Sequence, residues 1–123
     1  MRVTIAHEFF HAVQRSYLKQ DSINSYFMEL SSMWIEDIVY PDINDYVTFM
    51  QKVPDNYFTD PENFFNKYIY STGLYGHYLN YKFGDNIMQN IWNNISAADI
   101  SDNYYIIRSI NEVLDSSIYN SSF

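Results

Sequence analysis

Thr4-Ile5-Ala6-His7-Glu8-Phe9-Phe10-His11-Ala12-Val13-Gln14-Arg15-Ser16-Tyr17-Leu18 is the stretch that sets the fold. No Gly or Pro interrupts it, and Thr4 is a suitable N-cap. Phe10, Val13 and Tyr17 recur at helical spacing with Phe9 beside them, so the run reads as an amphipathic helix. Downstream, Tyr26 to Val39 predicts a second helix. Its apolar stripe is Phe27, Leu30, Trp34 and Ile38, and Pro41 ends it because the residue before Pro avoids the α region. The polar stretch Lys19 to Ser25 joins the two. Asn44 to Met50 is expected as a short third helix, Pro54 to Pro61 as a connector, and Glu62 to Tyr70 gives no clear pattern. Ser71 or Thr72 opens a further helix to Phe83, with Leu74, Tyr78 and Tyr81 as its apolar stripe and Gly84 just past its end. Asp85 is the expected cap of a helix carrying Ile87, Met88, Ile91 and Trp92. Ser101 is the expected cap of a last helix with Ile106, Ile107, Ile110, Val113 and Leu114 inward, before a frayed tail from Ser116.

The whole composition agrees with a mainly α fold, a bundle of about five to seven helices in one domain over residues 1–123. Three Gly in 123 residues leave few tight positive-φ turns, against a hairpin-rich β fold. Hydrophobic residues make 47% and charged residues 18%, a globular and not a disordered balance. Aromatics make 20%, enough large side chains for a core in a short chain. Seven Lys+Arg against 15 Asp+Glu give a formal charge of −8, which excludes a phosphate grip on nucleic acid and favours a bound cation. No run approaches the length of a membrane span. The absence of Cys removes disulfides, thiolate zinc sites and cysteine nucleophiles. Residues 1–6 have neither the apolar core nor the cleavage site of a signal peptide.

Within the first helix, His7-Glu8-Phe9-Phe10-His11 is an H-E-x-x-H motif. Positions i and i+4 lie one turn apart on one face, so both imidazoles reach one metal ion. Neutral imidazole suits zinc, and Glu8 projects beside the ion, where its carboxylate can take a proton from the attacking water. A catalytic zinc needs a third protein ligand. The metzincin continuation would need Gly at position 14 and His at position 17, where Gln14 and Tyr17 stand. The remaining histidine, His77, reads as a packed or surface side chain. An acidic third ligand is therefore favoured, with Glu29 and Glu36 as candidates. They lie seven residues apart on one face, about 10 Å, so one ion cannot bind both. Glu36 and Asp37 are also candidates to hydrogen-bond the outer N–H of a ligand histidine. The sequons Asn94-Ile95-Ser96 and Asn120-Ser121-Ser122 are expected by chance in a chain rich in Asn and Ser.

Glu29-Leu30-Ser31-Ser32-Met33-Trp34-Ile35-Glu36 resembles the second zinc-ligand helix of gluzincin metallopeptidases. In their aminopeptidase-N branch a ligand Glu is followed seven residues later by another Glu. The resemblance implies Glu29 as ligand and Glu36 as a supporting residue, with the His11-to-Glu29 interval one residue shorter than in that branch. Ala6 to Gln14 and Trp34 to Tyr46 are similar to stretches of a bacterial family of mostly secreted metallopeptidases, which implies a secreted or cell-surface parent protein. Tyr70-Ser71-Thr72-Gly73 resembles the Tyr-x-Lys-Gly segment of the aminopeptidase-N branch, with Thr72 in place of Lys. That likeness implies Tyr70 as an oxyanion donor. Gluzincins place a sheet before the metal helix, so the resemblance makes this chain the helical half of a zincin-like catalytic domain, as in a fragment or truncated product. The function implied is zinc-dependent hydrolysis of a peptide or protein substrate. The alternative is a non-catalytic helical zinc-binding or interaction module.

Overall fold

The computed structural model describes residues 2–18, 25–44, 47–48, 72–99 and 104–116. Among these the chain forms five helices and no strand: α1 (Arg2–Tyr17), α2 (Ser25–Val39), α3 (Gly73–Phe83), α4 (Ile87–Ala97) and α5 (Tyr105–Leu114). The mainly α bundle expected from the sequence is what the chain adopts. No helix among the described residues is long and apolar enough to cross a membrane. Most of the short helix expected over Asn44 to Met50, the Pro54–Pro61 connector, Glu62 to Tyr70, the Ser101 cap and most of the tail lie outside the described residues.

α2 is the organising helix. It packs against α1 on one side and α3 on the other, while α4 touches α1, α3 and α5. Its inner face places Phe27, Leu30 and Trp34 in the core with Leu79 of α3. α4 adds Ile87, Met88, Ile91, Trp92 and Ile95, and α5 adds Tyr105, Ile106, Ile110 and Leu114. Phe27 and Trp92 meet with ring centroids 5.3 Å apart, and Tyr17 reaches the same indole at 6.0 Å, which joins α1 to the core. α2 stops at Val39, just before Tyr40 and Pro41, with the Tyr40 N–H still bonded to the Glu36 carbonyl at 2.8 Å. α3 stops at Gly84, whose φ of 91° is open to glycine and costly for a side chain, and whose N–H returns to the Asn80 carbonyl.

Several details depart from the sequence expectation. α1 begins at Arg2, so Thr4 lies inside the helix and is not its cap. The buried positions of α1 are Val3, His7 and Gln14, while Phe9 is 70% exposed. This helix spends its inner face on polar groups that α2 satisfies. Ile38 is 49% exposed, because the contact face of α2 runs on through Glu36 instead. In α3 the expected stripe is overturned. Tyr81 is 91% exposed and Tyr78 is also outside, while Gly73, Gly76 and Leu79 are buried. The cause is close helix approach: a Cβ at Gly76 would lie 2.7 Å from Trp34 Cβ, and one at Gly73 2.9 Å from Met33 Cβ. Asp85 accepts from Asn80 Nδ2 at 3.1 Å and does not cap α4, whose N-cap residue is Asn86. Ile107 is exposed, and Ser109 and Tyr105 take inner positions on α5.

Candidate metal centre

The site lies where α1 crosses α2. One helical turn brings the His7 and His11 rings to a centroid separation of 4.6 Å, edge to face. Their Nε2 atoms are 3.0 Å apart. From α2 the Glu29 carboxylate closes the triangle, with Oε2 3.1 Å from His7 Nε2 and Oε1 3.4 Å from His11 Nε2. Bonds of about 2.0–2.1 Å to a tetrahedral zinc separate its ligand atoms by ~3.3 Å. The 3.0 Å between the two Nε2 atoms is close to one such edge, and the carboxylate presents a different oxygen to each imidazole at a similar distance. Two imidazoles and one carboxylate are also the donor chemistry of catalytic zinc sites. These three residues could hold a metal ion.

Both outer nitrogens are held. His7 Nδ1 donates to Glu36 Oε1 at 2.5 Å. His11 Nδ1 lies 2.8 Å from Gln14 Oε1, with Ser32 Oγ at 3.2 Å. With hydrogens on both Nδ1 atoms, both Nε2 lone pairs face the Glu29 carboxylate. Three acceptors then converge on one point, an arrangement that a cation relieves. His7 is held above the ordinary histidine value, first by its hydrogen bond to Glu36, against the opposing cost of burial, with the negative charges of Glu36 and Glu29 adding to the rise.

His7, His11 and Glu29 thus come together as the sequence implied, and Glu36 stands behind His7 in the supporting position. Asp37 does not join them. It faces His77, with Oδ2 3.0 Å from Nε2, one residue and about 100° further around α2. His77 is partly exposed and outside the metal-competent cluster. Glu8 is exposed on α1 beside its ligand neighbour. Tyr70 lies outside the described residues. The sequence reading missed Gln14, Ser31 and Ser32, all fully buried in the α1–α2 contact. Gln14 carried a signal: a polar side chain three residues after a ligand histidine sits above it on the same face.

No family model, curated protein or solved structure matches this chain in comparisons with known proteins.

Proposed function

We propose that this chain is a zinc-dependent metallopeptidase domain of the gluzincin type, with His7, His11 and Glu29 as the zinc ligands. The observation that supports it most is the convergence of both Nε2 atoms of an H-E-x-x-H helix with one carboxylate from the neighbouring helix. Zinc held there supplies Lewis-acid activation of water and of a peptide carbonyl. The remaining chemistry falls to the chain. Glu36 and Gln14 orient the two imidazoles. Glu8, solvent-facing and next to His7, takes a proton from the attacking water as its oxygen bonds to the carbonyl carbon. Glu8 then hands that proton to the departing amine as the C–N bond breaks. Tyr70 is the proposed donor to the developing oxyanion.

Zinc titration paired with hydrolysis of a mixed peptide pool tests this. One equivalent of zinc is expected to bind, and Glu8→Gln is expected to keep the metal while losing at least about 100-fold in rate, the low end for a general base. Zinc binding with no hydrolysis of any peptide assigns the chain to the non-catalytic module instead.

A further inference from the structure

The two ligand histidines are supported by different chemistry. A carboxylate behind His7 is an acceptor without any arrangement. An amide behind His11 can accept through oxygen or donate through nitrogen, and the wrong face would put a hydrogen on the nitrogen meant for a cation. From this difference we infer that Gln14 is a positioning residue, locked by α2 so that it fixes His11 as the Nδ1–H tautomer and leaves the Nε2 lone pair for a cation. The inference rests on the metal-centre reading for its purpose, but its geometry stands in the metal-free chain.

The lock is a chain of hydrogen bonds with one direction. Ser31 Oγ donates to the Phe27 carbonyl at 2.6 Å, so its hydrogen is spent and it can only accept from Gln14. Gln14 Nε2 donates to that Oγ at 2.9 Å and to the Met28 carbonyl at 2.8 Å, with Ser32 Oγ at 3.1 Å. Turning the amide over would set its oxygen against the Met28 carbonyl oxygen and the Ser31 hydroxyl, whose hydrogen is already given, with only the more distant Ser32 hydroxyl able to donate to it. Burial makes such an unsatisfied arrangement costly, and Gln14 is fully buried. Oε1 must then face His11 Nδ1, 2.8 Å away, as an acceptor. The orientation of a backbone segment of α2 is in this way passed through two side chains to a ring nitrogen of α1. A neutral amide also adds no third negative charge to a pocket that already holds Glu29 and Glu36, whose two charges balance a divalent ion.

The test begins with the full wild-type chain, free of metal, above the ordinary histidine titration range. Long-range proton–nitrogen correlation spectra are expected to show His11 as the Nδ1–H tautomer. An Nε2–H tautomer overturns the assignment without any variant, and this measurement decides if a variant fails to fold. Gln14→Met removes the acceptor at similar volume, and it is expected to mix the tautomers and weaken zinc binding about 10–100-fold. Gln14→Glu restores an acceptor to Nδ1 without the Nε2 donor that ties α1 to α2. It is expected to recover the tautomer and most of the affinity. Equal losses in both folded variants, or no loss in either, assign Gln14 to helix packing alone and overturn the proposal. A wild type with the Nδ1–H tautomer that takes up no zinc defeats the metallopeptidase reading and leaves the tautomer lock standing.

Discussion

Glu36 Oε1 lies 2.5 Å from His7 Nδ1, on the opposite edge of the ring from the nitrogen that faces Glu29 and His11. The two glutamates of α2 therefore grip one imidazole from both sides. Their separation of two helical turns suits a ring standing between them. Only Glu29 shares the point where the two Nε2 atoms converge. Glu29→Gln is expected to remove a charged ligand, and Glu36→Gln only the support behind one. Calorimetric zinc titrations are expected to rank the losses accordingly: about 10–100-fold for Glu36→Gln and a larger loss for Glu29→Gln. The reverse order would make Glu36 the ligand.

The same contact predicts a pH dependence. His7 is held above its ordinary value of 6.5, chiefly by the hydrogen bond to Glu36. A raised folded-state value means the folded chain binds the proton more tightly than the unfolded chain. Its contribution to the stability of the metal-free chain is complete below about 6.5 and is lost as pH rises through the raised value. Melting temperatures of the metal-free chain across that window are expected to fall as pH rises, and Glu36→Gln to flatten the fall. Zinc and the proton compete for His7, so zinc affinity is expected to move the other way, strengthening with pH as a proton is released.

The α2–α3 contact predicts a cost for a small change. At Gly76 a new Cβ would lie 2.7 Å from Trp34 Cβ, an atom too near the backbone to swing aside. Gly76→Ala gains about 1 kcal/mol of helix propensity but forces two helices apart, an overpacking cost of about 1–3 kcal/mol, here expected near the upper end. Chemical denaturation is expected to show a net loss of stability. A net gain would mean that α3 does not press on Trp34 as described.

Much of this architecture is legible in the amino-acid sequence. Apolar periodicity placed α2 and α4 well, because both bury an apolar stripe and that is what periodicity detects. The H-E-x-x-H spacing singles out His7 and His11, since i and i+4 are a local pattern, whereas the acidic helix after it leaves Glu29 and Glu36 both open and only the resemblance points to Glu29. Failures came where tertiary contact overrides composition. α3 turns its glycines inward and its tyrosines outward, because helix separation and not hydrophobicity decides that face. α1 buries Gln14 and exposes Phe9, because a polar network on α2 receives it. Glu36 and Asp37 were indistinguishable as supports in one dimension. One residue of helix rotation sends the first to His7 and the second to His77.

The Asp37–His77 pair supplies a contrasting prediction. It is partly exposed and apart from the metal-competent cluster. Asp37→Asn is expected to lower stability, since the Asp37 side chain is only 11% exposed and loses its charge against His77, and to leave zinc affinity within about twofold. A tenfold loss of affinity would place Asp37 among the supports of the centre.

The central claim is that His7, His11 and Glu29 share one divalent ion, and the most direct measurement is a zinc titration of the wild type beside His11→Ala. The account predicts saturation at one equivalent for the wild type and loss of that site in the variant, with the metal-free fold retained in both. No saturable site in the wild type, or an undiminished one in His11→Ala, would contradict it.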